Sequence, residues 1–268
     1  LGTDFGYQLP GNEVGECWGI SAHPDGDDRV DDNRFVGKTL SKLWEKERYL
    51  FGNLKEDRFP LLVKVIDAKE NLSIQVHPDD DYAKEHEGGS LGKTECWYII
   101  DCEDDAELVV GHNARTKKEL RDMIYGGQWD AFIRKIRIKK GDFIQIEPGC
   151  VHAITGGCII LETQQNSDIT YRVYDYGRLK DGKPRELHVE KSMDVIEVPA
   201  KPVEDSVKNV KEVPKNQWVE LISCDYYKVY KMNLDGAMQF EQTHPFMNVS
   251  VIEGCGIVNG RVIKKGDH

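Results

Sequence analysis

The chain has 268 residues, room for one large domain or two modest ones, and its 39% hydrophobic content is that of a globular protein. No run of about 18 apolar residues occurs, which excludes a membrane-spanning helix. A net charge of −11 leaves no basic stripe to meet a phosphate backbone and argues against nucleic acid; a small anion would need a pocket that is locally positive.

The opening residues, LGTDFGYQLPGNEVGE, have neither the basic stretch nor the apolar core of a secretory signal. Seven cysteines (Cys17, Cys96, Cys102, Cys150, Cys158, Cys224 and Cys255) show no CxxC spacing, which predicts reduced thiols and a cytoplasmic protein. The first long periodic segment, 39–51, places Leu40, Leu43, Trp44 and Leu50 on one face and predicts a helix. Period-2 alternation then predicts strands at 61–66, 72–77, 96–100 and 106–110. A second helix is expected over 116–134. It opens with the capping box Thr116-Lys117-Lys118-Glu119 and is broken at Gly126-Gly127. Strands follow at 135–138, 143–146, 159–162 and 170–174. Residues 199–217, rich in proline and charge, predict a connector, and further strands are expected at 226–232, 248–252 and 256–258. So many short strands between Gly, Pro and Asp turns predict a mainly β protein, a sandwich or barrel with a small helical segment covering a sheet.

The pentapeptide Ile-Lys-Lys-Gly-Asp occurs at 138–142 and again at 263–267. A similar strand pattern leads into each copy. This predicts a larger domain over 1–198, with its helical segment near 112–135, and the start of a second β domain over 218–268 that is cut within a strand.

Side chains two apart on a strand share a face. Gln75 and His77 are therefore in phase, as are Lys93 and Glu95, while Pro148-Gly149 turns the chain toward His152. Two imidazoles, a carboxylate and an amide oxygen converging on a barrel interior would form a mixed nitrogen and oxygen metal site. Such a site suits Zn²⁺, with Mn²⁺, Co²⁺ or Fe²⁺ as substitutes. Taken singly, each residue has an ordinary reading: a structural histidine, a sheet-bonding glutamine, a solvated edge carboxylate. His23, His86, His112, His188 and His244 lack a ligand partner at strand spacing and are expected to be structural or solvated. Lys64 alternates with Leu62 and Ile66 on an expected inner face, where a lysine needs an acid or an anion. Arg172, in phase with Thr170 and Tyr174, offers a permanent cation.

The segment 141–152 resembles the second cupin motif. Together, PLLVKVIDAKENLSIQVHPDD, GKTECWYI, EPGCVHAI, QQNSDITYRVYDYGR and the earlier GECWGISAHPDG resemble the type I mannose-6-phosphate isomerases (phosphomannose isomerases) in their short bacterial form, in order along essentially the whole chain. The resemblance implies a cupin-type jelly-roll barrel and a single zinc ion on Gln75, His77, Glu95 and His152. Arg172, Lys93 and Asp168 would be catalytic, with Asp168 in ring opening. Lys64, Lys93 and Arg172 would bind substrate. It further implies a sugar phosphate as partner, a monomer or weak homodimer, and a chain shortened at both ends relative to the family. Burial and a nearby cation are expected to lower the pKa of Lys93 and fit it for proton transfer. The competing expectations are a non-catalytic zinc cupin that binds or senses a sugar phosphate, and a metal-dependent oxygenase on the same scaffold. The added Gln75 and the surrounding cations argue against the oxygenase.

Overall fold

Alternation along the strands builds two facing sheets. The computed structural model describes residues 1–11, 13–31, 34–208 and 212–268. Eleven strands of the larger unit carry the argument: β1 (Glu16–Ile20), β2 (Leu61–Ala68), β3 (Ile74–Val76), β4 (Glu95–Cys102), β5 (Glu107–His112), β6 (Ile133–Arg137), β7 (Phe143–Ile146), β8 (His152–Ile154), β9 (Cys158–Gln165), β10 (Tyr171–Tyr174) and β11 (Val207–Lys208). One sheet has the order β1-β2-β9-β4-β7-β11 and the other β10-β3-β8-β5-β6, with antiparallel pairing throughout. This is the mainly β, cupin-type architecture expected from the alternation.

The interior is apolar at one end and polar at the other. Inward-facing Ile66, Ala68, Ile99, Leu108, Val110, Ile144, Ile154, Cys158 and Ile160 form one core cluster. Continuing along the same faces of β2, β4 and β9 brings Lys64, then Glu95, then Glu162 and Gln164, all buried. The register sets Glu162 opposite both Lys64 and Trp97, and Gln164 opposite Glu95. A slip of one residue would turn Glu95 outward and Cys96 inward, so the apolar end fixes where the polar end falls.

The back of the second sheet is covered by helices. Their buried residues Leu120, Ile124, Phe132 and Met193 pack on Ile74, Val76, Val109, Ala153, Tyr171 and Val173. The helices are α3 (Lys117–Tyr125), α4 (Trp129–Phe132) and α5 (Val189–Val195); before them come α1 (Leu40–Lys46) and α2 (Asp80–His86). The Thr116 hydroxyl accepts the Glu119 N–H at 3.1 Å, as a capping box requires, but the Glu119 carboxylate accepts from Arg115 N–H, one residue before the expected donor. Among the described residues no helix is long and apolar enough to cross a membrane.

Two expectations are corrected. Leu50 is exposed and Phe51 is buried in its place, because α1 stops at Lys46 and a tighter 3₁₀ turn, Arg48–Phe51, rotates the face. Residues 248–252 form no strand. Val251 alone makes a two-bond bridge, donating to Asp267 O and accepting from Gly266 N–H, each at 2.9 Å. Within the expected connector, Val207 and Lys208 pair with Ile144 and Phe143 as the edge strand β11. Residues 209–211 of that connector lie outside the described residues.

The second unit contributes β12 (Val219–Ser223), β13 (Lys228–Lys231), β14 (Cys255–Val258) and β15 (Arg261–Lys264), paired as two ribbons. Leu221 and Tyr227 pack on the outer face of the six-stranded sheet, against Cys96, Tyr98, Ile100 and Phe143. The repeated pentapeptide makes the same turn twice. Asp142 accepts Lys139 N–H at 3.0 Å and Gly141 donates to Ile99 O at 2.8 Å; Asp267 accepts Lys264 N–H at 2.9 Å and Gly266 donates to Val251 O at 2.9 Å. Both glycines have φ near +90°, which disfavours any side chain.

Ile144 is fully buried at the centre of the apolar end. Ile144→Ala should lower the unfolding free energy by about 2–5 kcal/mol in urea titrations; a loss well under that range would show that the interior collapses to fill the gap.

Candidate metal centre

Three strands and the residues beside them deliver the polar cluster. His77 follows β3, Glu95 opens β4 and His152 opens β8; all are buried, with Glu95 and His152 at 0% exposure. His77 Nε2 and His152 Nε2 are 3.2 Å apart. Glu95 Oε1 lies 3.3 Å from His152 Nε2, and Oε2 lies 3.4 Å from His77 Nε2. Donors on a tetrahedral ion at ordinary Zn–N and Zn–O lengths would be separated by about 3.3–3.4 Å. The sequence predicted these three side chains together, and their atoms stand at ligand separation.

The local chemistry fits a cation. Among the described residues, both Glu95 oxygens and His77 Nδ1 are buried without a hydrogen-bond partner, although the Lys93 ammonium lies 2.9 Å from Glu95 Oε2. The Cys150 carbonyl accepts from His152 Nδ1–H at 2.9 Å, so the Nε2 lone pair points at Glu95 and His77. Burial, reinforced by the Lys93 charge, pushes the His77 imidazole down to about 3, and burial likewise lowers His152. Both rings are neutral, the form that binds metal. Burial opposes ionisation of Glu95, but the Lys93 charge and the flanking imidazoles outweigh it and hold that carboxyl well below its ordinary range.

Gln75 stands beside the cluster, in register with both His152 and Arg172. Its amide nitrogen, rather than its oxygen, approaches His152 Nε2 at 3.2 Å, while Oε1 accepts from the Ser73 hydroxyl at 3.5 Å. To act as a ligand it must turn its amide over.

The chain's own groups do not depress the Lys93 pKa. Burial does lower it, but the carboxylates of Glu95 and Glu162 outweigh burial and raise it. Lys64 is also buried and sits 3.5 Å from Glu162 and 3.8 Å from Glu16. Arg172 is half-buried. It donates from Nη1 to Glu186 O at 3.0 Å, while its buried Nε has no partner among the described residues. Two cationic side chains, Lys64 and Lys93, thus meet three carboxylates, Glu16, Glu95 and Glu162, while Arg172 has Asp175 and Glu186 as its acidic neighbours. Asp168 lies outside the buried group, with its exposed carboxylate 3.7 Å from His23 Nε2. Asp25 N–H donates to His23 Nδ1 at 3.3 Å, which leaves the ring proton on Nε2, toward Asp168. His112 is structural: it stacks on Phe132 and bonds to Glu197 O at 2.9 Å.

Glu162 is the buried group that sequence reasoning passed over. It accepts from Trp97 Nε1 at 2.9 Å, and burial, then the nearby Glu95 charge, raises its pKa. The signal was a carboxylate in phase with Ile160 and Gln164 in a strand otherwise read as core. A separate cavity of about 530 Å³ opens at the apolar end of the sandwich, bordered by Asp67, Asp101 and Glu103. Its acidic rim is unsuited to a phosphate.

Residues 2–120 match the family described as phosphomannose isomerase type I, catalytic domain, and residues 218–268 match the mannose-6-phosphate isomerase cupin domain. The Bacillus subtilis mannose-6-phosphate isomerase ManA is 52% identical, over 99% of this chain and 86% of the relative. The Streptococcus mutans mannose-6-phosphate isomerase is 45% identical, over 100% of this chain and 85% of the relative. A crystal structure of the Bacillus subtilis mannose 6-phosphate isomerase shares the fold with a TM-score of 0.92 at 45% identity, covering 100% of this chain and 86% of that one. With its motifs, its paired sheets and its buried donor cluster all in agreement, the chain belongs to the type I mannose-6-phosphate isomerase family.

Proposed function

We infer that this chain is an isomerase that interconverts mannose 6-phosphate and fructose 6-phosphate, with Zn²⁺ held by His77, Glu95 and His152 and by Gln75 once its amide has turned. The observation that carries the metal assignment is the set of three buried donors from three strand ends, with their ligand atoms 3.2–3.4 Å apart. When bound, such an ion supplies Lewis acidity toward sugar oxygens and lowers the cost of negative charge on an enediolate.

The remaining work falls to side chains of the chain itself. An aldose–ketose shift takes a proton from a carbon beside a carbonyl and returns one to its neighbour, so a donor and an acceptor must both face the sugar. Lys93, kept protonated by Glu95 and Glu162, serves as donor in this reading, and Glu162, whose proton affinity burial raises, serves as acceptor. Arg172 shares a sheet face with Gln75 and retains one unspent N–H, a fixed donor for a developing oxyanion. Asp168 and His23, at the rim, form the pair assigned to ring opening. Lys64 is the cation assigned to the phosphate.

Chelation should abolish fructose 6-phosphate formation in a coupled assay, and Zn²⁺ should restore it. A protein that holds Zn²⁺ tightly and stays inert would instead be a sugar-phosphate sensor. Arg172→Ala should lower kcat by about 10²–10³-fold with KM little changed, as for loss of an oxyanion donor; a rise in KM alone would reassign Arg172 to uniform binding.

The metal-stripped protein carries a further test. His77 takes a proton near pH 3 when folded and near its ordinary 6.5 when unfolded. Between those values the unfolded chain binds a proton that the native chain refuses, so stability is present above the window and lost as pH falls through it. His77→Gln should flatten that loss in melts of metal-stripped protein; an unchanged slope would place the sensitivity elsewhere.

A further inference from the structure

The second unit supplies none of the buried donors, yet one of its side chains reaches the loops that carry them. Asp80, three residues after His77, accepts Gly92 N–H at 2.7 Å and the Gln165 amide at 3.0 Å on Oδ1. Its Oδ2 accepts the Tyr226 hydroxyl at 2.9 Å, and Tyr226 belongs to the turn between β12 and β13. Gln165, buried at the end of β9, accepts Thr94 N–H on Oε1 at 2.8 Å and donates its own N–H to Thr94 O at 3.0 Å. Lys93 N–H donates to Pro78 O at 3.0 Å. Gly92 lies so close to 79–80 that an added Cβ would fall 2.4 Å from Asp79 C, leaving no room for a side chain.

These bonds bind the segment after His77 to the segment before Glu95, with Asp80 at the junction. Nothing covalent holds those two segments in register across the mouth of the sandwich, and separation by even a fraction of an ångström would spoil donor spacing at the metal centre. The turn bearing Tyr226 is itself fixed, because the neighbouring Tyr227 is buried against the outer sheet face and donates to Gln145 Oε1 at 3.2 Å. We propose that Tyr226 and Asp80 are positioning residues through which the second unit holds the His77 and Glu95 loops at ligand spacing. The proposal rests on the metal-centre reading above.

The test uses the full chain loaded with Zn²⁺, with chelator competition for the Zn²⁺ dissociation constant and steady-state kinetics for kcat and KM. Tyr226→Phe and Asp80→Asn should each weaken Zn²⁺ binding by about tenfold and lower kcat with KM little moved, in the range seen for outer partners of metal ligands. The double variant should be no worse than Asp80→Asn alone, since both changes break one contact. Tyr230→Phe, on the same hairpin but away from Asp80, should match the wild type. Should Asp80→Asn fail to fold, Tyr226→Phe still decides, because that side chain is over a third exposed and outside the core. Zn²⁺ affinity and kcat unmoved in Tyr226→Phe, with the wild type holding Zn²⁺ normally, would overturn the inference alone, as would purely additive effects in the double variant. A wild-type chain that holds no Zn²⁺ would overturn the site reading itself.

Discussion

A carboxylate sealed from water between two imidazoles and an ammonium sets the terms for the interior of this protein. An ionised Glu95 at 0% exposure would be prohibitively costly if left alone. Its charge is offset by Lys93 on its own segment, while His77 and His152 on two others bring neutral ring nitrogens to the same point. Those four groups must therefore arrive together, which constrains the phase of β4, the exit of β3 and the start of β8. Once the phase of β4 is set by Glu95, Trp97 and Ile99 must face inward with it, and Cys96, Tyr98 and Ile100 must form the outer surface on which the second unit packs. The buried charge and the two hydrophobic layers are consequences of one alternation.

Charge balance explains why an acidic protein can be read as one that handles an anion. Two of the cations expected to face a sugar phosphate, Lys64 and Lys93, are already met by Glu16, Glu95 and Glu162. Two lysines against three carboxylates leave that cluster formally negative, and a phosphomonoester gains little by entering it. A divalent ion held by the His77, Glu95 and His152 donors would tip that balance, and metal affinity and substrate affinity would then be linked through the same carboxylates.

The parts of this arrangement that depend on strand phase were legible in the sequence. Gln75 with His77, Lys93 with Glu95, and the Pro148-Gly149 turn before His152 follow from a period of two. The resemblance to a known family carried the roles expected of Arg172, Lys64 and Asp168. The parts that depend on what stands across a sheet were not legible. Lys93 has a raised rather than lowered pKa because Glu162, which faces the same interior from β9, reinforces Glu95; only the register between strands brings it there. His23 was set aside for want of a ligand two residues away, yet its partner Asp168 is distant in sequence. Leu50 and Phe51 exchanged places because a helix stopped one turn early, at a boundary that side-chain pattern leaves ambiguous. The edge strand β11 sat in a charged stretch where its two paired residues gave no period to read.

The second unit shows how a fold can act on a site it does not line. Its hydrophobic contact is with the outer face of β4, while the chemistry lies on the inner face of the same strand, separated by one backbone layer. Contact with that outer face alone would transmit little, because a paired central strand flanked by β9 and β7 is stiff. The mouth of the sandwich is different: there His77 and Glu95 sit where strands end and loops begin, and loops are the segments with freedom to move. A hydroxyl delivered to Asp80 therefore acts where the structure yields, and the buried Tyr227 beside it supplies the fixed point against which it acts. On this account the rigid core determines which side chains meet, and the contact between units determines how closely they meet.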